Sequence, residues 1–403
     1  MSKLRIAIDG NEANITQRVG SNAYAFEILN ALEKITAARS EIEVTVLLTQ
    51  KPHNEMPPAR PGWQYYTFGP SALWTQIALP IHLFTHRKEY DIFYTPGHYA
   101  PRISSVPYVS SVMDLAFLYS PKQFRRKDFL QLKEWTRYSV KHAKRIITIS
   151  EHTKQDLVKN YHLKPQKVVV AYPAIDHEAL PKWKDKERLE TFKKYHVQEP
   201  YVLYVGTLQP RKNLICLVEA FEELVSQPQP PVKERGHYSF FGPDKLQSLQ
   251  LVIVGKKGWL AESLLEKIAR SPLKNRIILT GFVSEKEKAI FYKNSLCTVL
   301  IGLYEGFGIP ALEAMAFGSI PVVSGTTSLP EVVGEAGVRV DPKSTAEVAR
   351  AIKRIIELPA KERGQLLKNG RLQLKKFSWE HSAQTILDTL EEVVRNVAQK
   401  KQK

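Results

Sequence analysis

The chemistry of this chain is most concentrated in Tyr304-Glu305-Gly306-Phe307-Gly308-Ile309-Pro310-Ala311-Leu312-Glu313 and the residues that follow to Val323. The pattern reads as a strand end, a glycine loop and a short helix that Pro310 opens and Gly318 stops. Gly306 and Gly308 let backbone approach a ligand closely, and the unpaired N–H groups of a helix start favour an anion. Glu305 and Glu313 cannot be there for a phosphate; carboxylates accept hydrogen bonds from hydroxyls such as those of a sugar or a ribose. A second stretch, Tyr201 to Asn213, ends an apolar strand at Gly206 and then presents Arg211 and Lys212 side by side. Arginine offers phosphate oxygens a planar fork and lysine a point charge. Facing one strand-end crevice, the two stretches describe a diphosphate clamp with hydroxyl-reading carboxylates, which is a nucleotide-sugar site.

Elements that hold such loops are legible on both sides of them. The first half alternates β-rich runs with helical stretches: Leu4–Ile8, a helix near Ser21–Ile35, Glu43–Leu48, Asp91–Tyr94, Pro107–Ser111, a helix within 122–142, Arg145–Ile149 and a helix near 151–160. The second half repeats this from Tyr201–Val205 to Pro321–Val323. Alternation with near-continuous apolar strands is the signature of parallel sheets covered on both faces. The expected fold class is therefore α/β, with two Rossmann-like domains facing a central cleft. The domains are placed at 1–185 and 186–377, divided in the polar stretch Asp176–Pro200. Ser226–Gln247, rich in proline and glycine, reads as an exposed insertion. Ser378 caps a last helix whose apolar residues Ile386, Leu387, Leu390, Val393, Val394 and Val397 recur at helical spacing.

These residues resemble a known family. Glu305 and Glu313 around Gly306-Phe307-Gly308, followed by Ser328-Leu-Pro-Glu331-Val-Val-Gly-Glu-Ala-Gly337, are similar to the donor-site signature of the GT-B glycosyltransferases of family 4, the group 1 type. The Gly206–Asn213 loop resembles that family's phosphate loop, and Ala143–Glu151 and Phe377–Glu380 resemble it too. The resemblance implies retaining transfer of a hexose, such as mannose or glucose, from a UDP- or GDP-linked sugar. The acceptor would be a glycan or a lipid-linked molecule in cell-envelope polysaccharide synthesis. No permanently bound cofactor and no metal are implied. Arg211 and Lys212 would stabilise the departing diphosphate, and Glu305 with Gly206, Gly306, Phe307, Gly308 and Ile309 would bind the donor. Glu313 would take the ribose, Gly20 would let the first domain close on the phosphates, and the helix 378–398 would return to that domain. Many relatives carry a His-Asp pair where this chain has Met113-Asp114; Asp114 stays a candidate sugar or acceptor contact and His98 a candidate on the acceptor side. Thr207 also stands where some members have arginine. These departures leave as the alternative a nucleotide-sugar-binding pseudoenzyme.

Composition is that of an ordinary globular protein and excludes collagen-like, low-complexity and wholly disordered chains. The 403 residues carry 58 Lys+Arg against 41 Asp+Glu, a formal +17, and the two cysteines, Cys216 and Cys297, have no disulfide or metal-ligand pattern. The opening residues contain no signal core and no window is apolar enough to span a bilayer, so a cytoplasmic protein, peripheral at most to the inner membrane face, is expected. No G-x-G-x-x-G follows the first strand, which argues against a nicotinamide dehydrogenase. Charge is uneven: residues 101–150 hold ten Lys/Arg and three Asp/Glu, while 301–350 hold three and six. Arg125, Arg126, Lys127, Lys133 and Trp135 sit in the basic block, a pattern that suits either a solvated helix face whose aromatics pack inward or an amphipathic helix on an anionic membrane surface. No nucleic-acid-binding motif accompanies the charge, so nucleic acid is not an expected partner.

Overall fold

A computed structural model describes residues 3–97, 99–176, 180–226 and 245–402. His98 and most of the Ser226–Gln247 stretch lie outside them. The chain divides into two compact units, Met1–Pro173 with Ser378–Lys403, and Ala174–Phe377. The division therefore falls earlier than 185/186. Helix Asp185–Tyr195 already belongs to the second unit, where Phe192 packs on Tyr201 and Phe291 with ring centroids 5.9 and 6.3 Å away.

The first unit is built on seven strands: β1 (Leu4–Asp9), β2 (Ile42–Leu48), β3 (Trp63–Thr67), β4 (Ile92–Thr95), β5 (Tyr108–Val112), β6 (Arg145–Thr148) and β7 (Val168–Val170). They run parallel in the order β3-β2-β1-β4-β5-β6-β7. Ile6, Ile8, Val44, Val46, Phe93, Val109 and Ile146 are buried, each stabilising the fold by about 1.5–3 kcal/mol. The last helix, Trp379–Gln402, belongs to this unit and lies along helix Ser21–Thr36. Tyr24 meets Trp379 at 5.8 Å between ring centroids, Ser382 Oγ donates to the Tyr172 carbonyl at 2.6 Å, and Arg39 pairs with Glu391 at 2.8 Å.

The second unit has six parallel strands: β8 (Tyr201–Val205), β9 (Gln250–Val254), β10 (Ile277–Gly281), β11 (Cys297–Leu300), β12 (Ile320–Ser324) and β13 (Val338–Val340), in the order β10-β9-β8-β11-β12-β13. Each sheet reverses direction of growth once, between β1 and β4 in the first and between β8 and β11 in the second. Open parallel sheets bind ligands beyond the carboxyl ends of their strands at such a reversal. The two chemistry-bearing stretches follow β8 and β11.

Candidate functional site

The loop after β8 is pinned to its neighbours before any ligand is considered. Gly206 donates its N–H to the Val254 carbonyl at 2.9 Å, and a Cβ on it would sit 2.7 Å from the Tyr204 hydroxyl. A short turn, Pro210–Lys212, ends at Asn213 in the left-handed region, φ 59°, a conformation asparagine tolerates. Asn213 Nδ2 then donates to the carbonyls of Ile301 and Pro342, at 3.3 and 2.5 Å. Leu303 N–H donates to the Arg211 carbonyl at 2.8 Å, which ties this loop to the one after β11.

The loop after β11 is held from the other side by residues beyond β12. Ser324 Oγ donates to the Gly302 carbonyl at 2.6 Å, and Ser328 Oγ lies 2.8 Å from both the Glu305 and Phe307 carbonyls. Gly308, at φ 114°, starts the helix Ile309–Phe317, and a Cβ there would collide with Leu329. Gly302 leaves room for the Glu305 carboxylate, which a Cβ at that position would push aside. The Phe307 ring is buried against Phe377 at 5.5 Å, so its backbone rather than its ring is available to a ligand.

Side chains of the two loops meet. Lys212 Nζ donates to Glu305 Oε1 and Oε2 at 2.8 and 2.7 Å, and Arg211 Nη1 lies 3.5 Å from Oε2 and 3.2 Å from the Tyr304 carbonyl. Arg211 Nε also donates to Gln209 Oε1 at 3.1 Å. The side chains are 21%, 17% and 10% exposed for Arg211, Lys212 and Glu305, so the charges interact in a partly desolvated setting where they are stronger than on an open surface. Burial first, and the Glu305 charge second, push the Tyr204 phenol well above its ordinary pKa. Glu313 has other partners: Lys288 Nζ at 2.7 Å and the Tyr292 hydroxyl at 2.7 Å. Burial opposes the Lys288 charge, but Glu313 and Glu285 outweigh it and hold its pKa above the usual lysine value. Two cations and a helix start thus converge beside one carboxylate, an arrangement able to meet the charge of a diphosphate. Among the described residues no three His, Cys, Asp or Glu side chains group as metal ligands would.

The remaining sequence candidates lie in the first unit. Gly20 caps helix Ser21–Thr36 at φ 58°, ψ −121°, a conformation open to glycine. Met113 is 5% exposed, and its carbonyl accepts from Thr153 Oγ1 at 3.5 Å. Asp114 Oδ1 accepts from Ala116 N–H at 3.0 Å. Arg125, Arg126, Lys127 and Lys133 are exposed, at and along helix Arg126–His142, whereas Trp135 is half-buried edge-on to Tyr99 at 5.1 Å and does not share their outer face. Sequence reasoning passed over Tyr204, Gly302, Ser324 and Thr327, whose hydroxyl accepts from Glu305 N–H at 3.4 Å. It also passed over Asp9, a buried carboxylate at the carboxyl end of β1. A buried acid ending an apolar strand was the signal available.

Two family models match this chain: one described as glycosyl transferases group 1, over residues 185–373, and one described as Glycosyltransferase Family 4, over residues 20–179. O-antigen chain mannosyltransferase B of Escherichia coli is 29% identical over 303 residues, 74% of each chain. Among solved structures, sucrose-phosphate synthase of Thermosynechococcus elongatus superposes with a TM-score of 0.70 at 20% identity, covering 98% of this chain and 100% of that one. HepE of Anabaena, solved in complex with UDP-glucose, superposes with a TM-score of 0.69 at 18% identity, covering 96% and 100%. At those identities the structural likeness is one of fold.

Proposed function

We propose, from the premise that this chain belongs to the group 1 glycosyltransferases and has their GT-B fold of two Rossmann-like units, that it transfers a hexosyl group from a nucleoside-diphosphate sugar to a growing cell-envelope glycan. Mannose is the first sugar to test, since the E. coli relative is an O-antigen chain mannosyltransferase; GDP-mannose is then the first donor, and UDP-glucose the comparison. The observation that carries the reading is the Arg211–Lys212–Glu305 cluster at the strand-order reversal of the second sheet, beside the helix start at Ile309.

In this reading Arg211, Lys212 and the N–H groups at Gly308–Ile309 meet the charge that grows on the departing diphosphate. Glu305 holds Lys212 and reads a donor-sugar hydroxyl. Glu313, held by Lys288 and Tyr292, keeps lone pairs for the ribose, because a carboxylate offers about four acceptor positions. The bond from the anomeric carbon to the phosphate oxygen breaks, a bond from that carbon to the acceptor oxygen forms with retention, and the acceptor proton passes to the departing phosphate.

The acceptor side is proposed to work against an anionic membrane at the cytoplasmic face. Among the described residues no helix is long and apolar enough to cross a bilayer. The support is a surface of the first unit. Leu73, Ile77, Ile81 and Phe84, on and before helix Ala78–Thr85, are each more than half exposed, as is Ile103. Ser105 Oγ donates to the Leu83 carbonyl at 2.6 Å, and Ala100 N–H donates to Ser139 Oγ at 2.9 Å. The 100–105 loop thereby joins the apolar helix to the basic helix Arg126–His142. Apolar side chains beside exposed cations suit an anionic interface.

Titration calorimetry with GDP, UDP and their mannose and glucose conjugates tests the donor reading. One nucleotide should bind the parent chain and lose at least tenfold affinity in Lys212→Ala; no binding by the parent would overturn the assignment.

A further inference from the structure

We infer that the Asp9 carboxylate, at the carboxyl end of β1, binds a hydroxyl group of the acceptor sugar. The inference rests on the chain being a transferase to hydroxyl acceptors, and extends it to a site in the first unit. Asp9 is 8% exposed. Its Oδ1 accepts from Asn11 N–H at 3.1 Å and from Asn11 Nδ2 at 2.9 Å. Asn11 is fixed in turn, its Oδ1 accepting from Thr49 N–H at 2.8 Å and Thr49 Oγ1 at 2.9 Å. One carboxylate oxygen is therefore locked between the ends of β1 and β2. The other, Oδ2, has no hydrogen-bond partner among the described residues.

The position is the strand-order reversal of the first sheet, where β1 and β4 lie side by side. Gly97, beyond β4, lets its loop come close to Glu12: a Cβ there would lie 3.2 Å from the Glu12 Cγ. Glu12 Oε2 and carbonyl oxygen accept from Asn22 Nδ2 at 2.5 and 3.1 Å. Two carboxylates at one loop repel a diphosphate and accept from hydroxyls, so the chemistry selects a polyol such as a sugar.

A structural role does not account for the charge. An asparagine at this position would accept the same two bonds from Asn11 without a buried charge. Burial pushes the Asp9 carboxyl up to about 6, opposed by the Asn11 bonds and reinforced by Glu12. Among the described residues Glu12 is the charged group that acts on Asp9; on the flanking elements Tyr24 and Tyr94 are phenols kept neutral by burial, and Lys51, beyond β2, is exposed. A fold that keeps an ionised carboxylate here, with no cation paired to it among the described residues, forgoes stability, which fits a side chain retained for a ligand.

The test uses the full chain and Asp9→Asn, with methyl α-D-mannopyranoside, methyl α-D-glucopyranoside and methyl α-D-galactopyranoside as probes, read by saturation-transfer NMR. At least one probe should bind the parent and bind Asp9→Asn five- to tenfold more weakly. Its binding to the parent should weaken as pH falls through about 6, while the variant's stays flat. Equal binding by both proteins, no probe binding by the parent, or a variant that fails to fold would each overturn the inference. GDP and UDP titrations on the same samples separate the two readings, because loss of nucleotide binding reports on the second unit's loops and unchanged nucleotide binding isolates Asp9.

Discussion

On the proposed reading, the Lys212–Glu305 pair serves both stability and chemistry. Removing a group placed to meet developing charge costs about 2.7–4 kcal/mol of transition-state stabilisation. Lys212→Ala should therefore lower turnover by roughly 100- to 1000-fold. It should also lower the melting temperature, because it leaves a 10% exposed carboxylate without its main partner, at about 1–3 kcal/mol. Arg211, at 3.5 Å, compensates only in part. Full turnover would remove Lys212 from the reaction. Asp9 presents the opposite balance. Its pKa is raised from 3.8 to about 6, so the folded state holds the proton more tightly than the unfolded chain. The associated stability is present below 3.8 and is lost as pH rises toward about 6. Asp9→Asn should accordingly melt above the parent at pH 7.5 and lose that advantage in acid; thermal melts across pH check the sign.

At the scale of elements, much of the architecture was legible and the pairings were not. The strands at Leu4, Tyr201, Leu251 and Thr298 announce themselves as apolar runs, and the glycine loops after β8 and β11 stand out by their punctuation. The edge strand β3, exposed along much of one face, and β13, only three residues long, carry too little periodicity to be read. The Lys212–Glu305 pair joins residues 93 apart in sequence; it exists because β8 and β11 pair in parallel, which no local pattern states. Glu313 matched the expected spacing, yet its binding to Lys288 and Tyr292 depends on how helices Glu285–Asn294 and Ile309–Phe317 pack. Two element-level outcomes are expected. Gly308→Ala places a Cβ at φ 114° against Leu329, costing about 1–3 kcal/mol, and should weaken nucleotide binding as the helix start shifts; wild-type affinity would show that the start is not used. Ile77→Glu with Ile81→Glu should reduce sedimentation with phosphatidylglycerol vesicles at least as much as reversing Arg125, Arg126 and Lys127 does. Failure of the parent to sediment would remove the membrane proposal.

For the whole molecule, the consequential feature is that the first unit is discontinuous in sequence. Ile386, Leu387, Leu390 and Val393 of the last helix are buried in that unit. At about 1.5–3 kcal/mol each, their loss rivals the total stability of an ordinary domain, about 5–15 kcal/mol. A chain ended after Phe377 should therefore lose the cooperative melting of its first unit, even though the residues removed lie on the outer helix rather than in a ligand loop; a preserved calorimetric transition would contradict this. The same discontinuity orders events on the ribosome. The second unit, continuous from Ala174 to Phe377, has all its residues before the final helix emerges. The unit translated first is thus finished last. The side of helix Ser21–Thr36 that the last helix covers, Tyr24 included, stays uncovered while the intervening unit is made, roughly ten to forty seconds at ordinary elongation rates, which makes the nascent amino-terminal half a natural client for chaperones.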